Sequence, residues 1–423
     1  MKTLAIIAEY NPFHNGHAYQ LSCAKELTQA DYSIAVMGGN FLQRGQAAMW
    51  DKFTRAQIAA SCGIDLVIEL PFPYATGSAR DFSMGAVSML NKFQTVDFLC
   101  FGAETDDLPS FLKIANILVN EPDLFKRRLK IYLADGDSYP LARERAMNDY
   151  ISHQTVQSID QVTDFNNVHE ILSLPNNILA LEYICALIRT NSLIKPVLIP
   201  RTEALYHDEN IHHTICSAKA IRSNIHNLTV NSSVKHALPE VSYSLIKASY
   251  QINSPVITDD LSVFLQSARL FNPPDASICD FDEEFIGRLS KLPIAASYLD
   301  ILDALKSRNW TSGRISRAFI HYLLGYTEEH RTSFLSGGYC FYANILSFRK
   351  ESSTLIKELH SNSQIPIITK KGDYLSKLHQ ESFEAALCMW KLDIHATTLY
   401  NCMIFNRYHV VCEDDYHKLI PII

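Results

Sequence analysis

The segment Glu9-Tyr10-Asn11-Pro12-Phe13-His14-Asn15-Gly16-His17 holds two imidazoles at i and i+3 around a glycine. In the first turn of a helix that spacing puts both rings on one face. The same turn has backbone N–H groups without intrahelical acceptors and carries the positive end of the helix dipole, so it forms an anion site. Histidines placed there can donate to phosphate oxygens and stabilise charge developing on an α-phosphate under attack. Gly16 removes a side chain where a base or phosphate must come close to the backbone. A satisfied capping turn with ordinary histidines would show the same letters. The Asn-Pro-Phe before them, directly after an apolar run, favours the phosphate site.

A second element is Ser217-Ala218-Lys219-Ala220-Ile221-Arg222. Ser217 can cap a helix whose first N–H groups face phosphates, and Arg222 lies a turn further on as a polydentate donor. Alone, this reads as a routine cap with a solvated arginine. With His14 and His17 upstream it reads as a second anion-contacting turn.

These residues need elements to position them. Leu4–Ala8 is a compact apolar run, followed by a polar turn and the helical stretch Tyr19–Leu27. Ser33–Met37, Leu66–Leu70 and Phe98–Phe101 repeat the short apolar run, with helical stretches at Trp50–Ser61 and Ser83–Asn91 between them. Short apolar strands alternating with helices predict a parallel sheet covered on both faces. Further helices are expected over 107–155 and 175–190, a strand over Pro196–Pro200, and a helix over Ser217–Ile225. After about 235 the alternation fades into helical periodicity, for example Leu261–Phe271, Arg314–Leu324 and Tyr342–Ser347. The fold class expected is α/β, a Rossmann-like domain over 1–235 followed by a mostly helical domain over 236–423.

The 423 residues give room for two or three domains of about 100–200 residues each. The 45 acids against 38 bases leave a net charge of −7, so a polyanion must be met by a local basic patch. Ten cysteines are scattered with no Cys-x-x-Cys pair, which removes zinc-ribbon and thioredoxin-like readings. The apolar run at the start ends at Glu9, too short for a signal segment, and no stretch approaches about 18 apolar residues. A cytoplasmic protein without a membrane span is expected.

The two anion-site elements together resemble the HIGH-type nucleotidyltransferase superfamily, and more specifically the bacterial tRNA(Met) cytidine acetate ligase family. Further stretches carry the resemblance: Gly39-Asn40-Phe41-Leu42-Gln43-Arg44-Gly45, Lys52 with Arg55, Asp65–Pro71, Phe101-Gly102-Ala103-Glu104, Pro175–Ala180, Tyr206-His207-Asp208 and Arg314-Ile315-Ser316-Arg317. The chain departs from the family at Gly38, where Ser is usual, at Arg80, where an acid is common, and at Arg201–His207, which lacks the family's glycines.

The resemblance implies ATP-dependent activation of acetate to acetyl-adenylate, then acetyl transfer to the exocyclic amine of the wobble cytidine in the anticodon loop of elongator tRNA(Met). It implies an ATP-contacting loop made of Ile7, Ala8, Glu9, Tyr10, Asn11, Pro12, Phe13, His14, Asn15, Gly16, His17, Ala18, Tyr19 and Gln20. Gly102, Asn176 or its neighbour Asn177, Arg201, Thr202 and Ser217 complete the implied nucleotide site. His14, His17, Lys52, Arg55 and Arg222 are the candidates for screening the triphosphate, with Mg²⁺ shared among phosphate oxygens and no protein metal ligands. His207-Asp208 with His212-His213 lacks the spacing of a metal site. Arg314, Arg317, Arg349, Lys350, Lys370 and Lys371 are candidates for the tRNA surface, although each singly reads as a solvated helix face. The aromatics Phe334, Tyr339, Phe341 and Tyr342 could stack on bases, but their density reads as core. Two rivals remain: a transferase that adenylylates a small phosphate-bearing metabolite, and a non-catalytic RNA-binding protein.

Overall fold

The computed structural model describes residues 1–157, 167–201, 216–225, 232–370, 372, 374–378 and 383–423. Thr202, Tyr206-His207-Asp208, His212, His213 and Lys371 lie outside the described residues. Contacts divide the chain into two compact units, one of residues 1–97 with 203–423 and one of residues 98–202. The expected division at 235/236 falls inside the first of these.

The first unit is built on β1 (Thr3–Ala8), β2 (Tyr32–Gly38) and β3 (Leu66–Leu70), paired in parallel in that order. Their side chains are almost all buried, which explains why each reads as a continuous apolar run rather than an alternating one. The crossovers are the helices Asn15–Thr28 and Lys52–Ser61. Because the strands are parallel, the turns leaving β1, β2 and β3 emerge on one edge of the sheet, where open α/β sheets bind ligands.

The expected helical periodicity over Tyr342–Ser347 is corrected. Ala343–Phe348 is a strand, β6, antiparallel to β3, and β7 (Ile367–Ile368) extends the sheet beyond it in parallel. Six residues, two of them the polar Asn344 and Ser347, have no period long enough to separate strand from helix. The chain's last residues join this edge: Lys350 N–H donates to the Ile423 carbonyl at 2.9 Å and Ile423 N–H to the Phe348 carbonyl at 3.0 Å. Helices dominate the remainder, including Ser312–Leu324 and the long Phe383–Tyr408.

In the second unit β4 (Phe98–Ala103) and β5 (Lys195–Pro200) pair in parallel, with Gly102 opposite Ile199. The connection between them includes the helices Leu108–Asn120, Asp123–Ala134, Tyr139–Gln157 and Pro175–Arg189.

Candidate active site

The loop leaving β1 turns directly into the helix Asn15–Thr28, and its two histidines form the helix cap. His14 Nδ1 accepts from Gly16 N–H at 3.0 Å, and His17 Nδ1 accepts from His14 N–H at 3.3 Å. An imidazole whose Nδ1 accepts a backbone proton is, when neutral, the Nε2–H tautomer. In the neutral form each ring therefore carries its proton on Nε2, beside the positive end of a helix. The rings stack with centroids 3.8 Å apart and planes 27° from parallel, while Tyr10 meets His17 edge-on at 4.9 Å. Ile7 and Ala8 close β1, and Ala18, Tyr19 and Gln20 continue the helix.

The loop is held from several sides. Gln43 N–H donates to Glu9 Oε1 at 2.8 Å, and Met49 N–H to Asn11 Oδ1 at 3.0 Å. Ser242 Oγ donates to the Phe13 carbonyl at 2.7 Å, and Asn15 Nδ2 to the His236 carbonyl at 2.8 Å. Arg222 is brought onto the same loop, its Nη1 donating to the Asn11 carbonyl at 2.9 Å. Ser217 caps the helix Ala218–Asn224 through Ala220 N–H at 3.0 Å, as its sequence position predicts. A serine cap of this kind contributes about 1 kcal/mol.

Lys52 and Arg55, expected to screen the triphosphate, are placed inside the frame that holds the loop. Both are fully buried. Lys52 Nζ lies 2.7 and 2.9 Å from the two Glu69 carboxylate oxygens and 2.7 Å from Asp415 Oδ2. Burial works against its charge, but Asp415 and Glu69 outweigh that and hold its pKa above the usual lysine value. Arg55 donates to the carbonyls of Trp50 (2.9 Å), Glu9 (2.6 Å), Gly38 (3.1 Å) and Gly39. A single guanidinium thus ties together the chain leaving β1 and the chain leaving β2. Sequence alone shows two cations at helical spacing; it gives no sign of carbonyls and carboxylates that claim their protons first.

In the second unit, Gly102, Asn176 and Arg201 come together. A Cβ on Gly102 would stand 3.4 Å from Arg201 Cγ, and Arg201 Nη1 donates to Asn176 Oδ1 at 3.3 Å. Asn176 and Asn177 differ in burial. Asn177 is fully buried; its Oδ1 accepts from Glu104 and Thr105 N–H, and its Nδ2 donates to Thr105 Oγ1 and the Glu170 carbonyl. Glu104 is the residue the sequence reading left without a role. Its carboxylate accepts from Asn176 Nδ2 at 2.6 Å and Asn177 N–H at 2.8 Å, fixing the start of the helix Pro175–Arg189.

Gly38 is not required by space: an added Cβ would meet nothing nearer than 3.9 Å, so the usual serine would fit. Of the basic candidates, Lys350 and Lys370 are exposed, Arg349 lies 3.6 Å from Glu351, and Arg314 covers the Trp310 ring at 3.7 Å. Phe334, Phe341 and Tyr342 are buried core, as their density predicts.

A parallel sheet whose first strand runs into a histidine-capped helix defines a nucleotidyltransferase. The match to a HIGH nucleotidyl transferase family model covers residues 1–413. The chain belongs to the tRNA(Met) cytidine acetate ligase family within that class. It is 36% identical over 422 residues to tRNA(Met) cytidine acetate ligase of Alkaliphilus metalliredigens, covering 98% of this chain and 97% of the relative. It is 34% identical over 424 residues to the enzyme of that name from Thermoanaerobacter sp. strain X514, covering all of both. Among solved structures, Thermotoga maritima TmcAL in its apo form superposes with a TM-score of 0.90 at 31% identity. The same protein bound with alpha-thio ATP gives 0.88 at 30%, and both matches cover 100% of each chain.

Proposed function

We propose that this chain is an ATP-dependent ligase that activates acetate as acetyl-adenylate and transfers the acetyl group to the exocyclic amine of the wobble cytidine of elongator tRNA(Met), forming N4-acetylcytidine. The observation that carries this reading is the His14/His17 cap, which sets two Nε2–H donors at a helix start in a chain that matches this ligase family from end to end.

In the first step an acetate oxygen bonds to the α-phosphorus and the bond to the bridging oxygen breaks, so pyrophosphate leaves with the electron pair. The enzyme's task is in-line positioning and charge stabilisation. His14 and His17 donate to the phosphate oxygens, and the helix N–H groups add fixed positive potential. Arg222 supports the loop while carrying further positive charge. By the resemblance, Ser217 contacts the nucleotide in the first unit, and Gly102, Asn176 and Arg201 are the candidates that the second unit carries. Lys52 and Arg55 hold the frame of the histidine loop. In the second step the cytidine amine bonds to the acetyl carbon, the carbon–oxygen bond of the mixed anhydride breaks, AMP leaves, and the amine gives up a proton.

Among the described residues no group of three or more His, Cys, Asp or Glu is arranged to hold a metal ion. Mg²⁺ held by the triphosphate would supply charge neutralisation there. The wobble base lies in a single-stranded loop, so presenting it costs less than flipping a base from a duplex. The region from 236 onward supplies the tRNA surface, with Arg314, Lys350 and Lys370 as contacts. No helix among the described residues is long and apolar enough to cross a membrane.

The test is incubation with ATP, isotopically labelled acetate and tRNA(Met), followed by digestion to nucleosides. Label is expected in N4-acetylcytidine, and no labelled nucleoside would overturn the reading.

A further inference from the structure

A cavity of about 120 Å³ in the first unit shares no lining residue with the candidate nucleotide site. Tyr74 and Tyr326 supply aromatic wall and are both buried, at 2% and 4% exposure. Asp81, Asp280 and Arg331 supply charge, and His321, only 3% exposed, lies deep in it. The volume is several times what a single ordered water needs.

The polar groups are under-used. His321 Nδ1 stands 3.3 Å from Asp280 Oδ2 but makes no well-aligned hydrogen bond, leaving a buried ring nitrogen unsatisfied. Arg331 reaches Asp81 at 3.3 Å and Glu328 at 3.5 Å, both at the outer limit of hydrogen bonding. Its side chain is 41% exposed and that of Asp280 33%, so both can be reached from outside. Burial opposes the charge of Asp280, but His321, Arg317 and Arg314 overcome it and hold the carboxyl down at about 2. The carboxylate is thus ionised at any working pH, and two of the arginines expected at a tRNA surface stand beside it.

The cavity is joined to the histidine loop through Gln43 and the Glu9 side chain. Gln43 N–H donates to Glu9 Oε1 at 2.8 Å, and Gln43 Nε2 donates to the carbonyl of Gly77, a cavity residue, at 3.1 Å. Gly77 follows the short helix Phe72–Ala75 after β3, and β3 itself lies two strands, about 10 Å, from β1 in the sheet.

We propose that this cavity is the acceptor pocket: it takes the pyrimidine base of the RNA substrate, with Tyr74 and Tyr326 against the ring and Asp280 and Arg331 on its polar edge. Cytosine offers an amine donor beside ring-nitrogen and carbonyl acceptors. A carboxylate accepting from the amine and a guanidinium donating to the acceptors match that edge group for group. A base removed from its stack is read in this manner, by its pairing edge and by aromatic contact. The inference rests on the ligase reading above, and its test separates the two.

The decisive comparison is between two assays on the same variants. Asp280 has φ +67°, so Asp280→Gly deletes the carboxylate where glycine is at ease. Arg331→Gln removes the guanidinium at a half-exposed site. Both are expected to keep acetate-dependent exchange of labelled pyrophosphate into ATP within about twofold of the unsubstituted protein. Acetyl transfer to tRNA is expected to fall about ten- to hundredfold, the range one edge-reading pair is worth. Undiminished transfer in both variants overturns the pocket. Parallel loss of exchange and transfer in both, with unchanged thermal unfolding, also overturns it, since the residues would then serve adenylation. An unsubstituted protein with no acetate-dependent exchange would instead sink the ligase reading beneath it.

Discussion

His14 and His17 lie face to face with ring centroids 3.8 Å apart, each accepting through Nδ1 a backbone N–H at the start of one helix. The capping bonds fix the neutral tautomer, so one interaction folds the helix end and also sets the chemistry. Removing a ring therefore has two separable consequences.

His14→Asn keeps a good helix cap but loses the Nε2–H donor. Its unfolding midpoint should stay close to the parent's, while acetate-dependent pyrophosphate exchange falls by about 10²–10³-fold, the usual loss for one donor to a developing oxyanion. His14→Ala should lose the same activity and about 1 kcal/mol of stability besides. Denaturant unfolding beside the exchange assay distinguishes the two substitutions.

Lys52→Met should act on stability rather than on chemistry directly. It leaves Glu69 and Asp415 buried without their shared cation, a change that costs about 3–5 kcal/mol. Urea unfolding should show that drop. If the variant were fully stable yet inactive, Lys52 would have to meet the nucleotide after all.

Asp393 gives the fold a pH dependence of definite sign. It is buried, accepts from Phe72 N–H at 2.7 Å and from the Tyr342 hydroxyl, and burial, then the charge of Glu69, push its pKa up to about 7. The folded state then holds a proton that the unfolded chain releases near pH 4. This contribution to stability is full below about pH 4 and is lost as pH rises through about 7. Thermal midpoints measured from pH 5 to 8 should show Asp393→Asn flattening that decline.

Gly38, the last residue of β2, and Gly45 beyond it should respond in opposite ways. At Gly38 a Cβ has 3.9 Å of clearance, so Gly38→Ser should change the unfolding midpoint little. Gly45 has φ +71°, and a Cβ there would stand 2.3 Å from the backbone of Ser316 and Arg317. Gly45→Ala should therefore cost more than about 2 kcal/mol, readable in the same unfolding experiment.

The strands β1 to β5, the histidine turn and the Ser217 cap were legible because each rests on local rules: a buried run, a helix start, a capping residue. What was missed depends on contacts distant in sequence. Ala343–Phe348 became a strand because β3 offered it an edge, nearly 300 positions away, and six residues carry no period that says so. Lys52 and Arg55 lie beside the turns that leave β1 and β2. Their donors, however, were claimed by Glu69, Asp415 and backbone carbonyls, which only folding brings within reach. The cavity beside Asp280 was invisible for the same reason, since its lining comes from segments around 74–81, 279–280 and 321–335.

The central claim is that the histidine pair adenylates a carboxylate. The most direct measurement is exchange of labelled pyrophosphate into ATP by the purified protein, with and without acetate, beside the His14→Asn variant. The account predicts exchange that requires acetate and is lost in the variant while its fold is retained. Exchange independent of acetate, or equally strong in the variant, would contradict it.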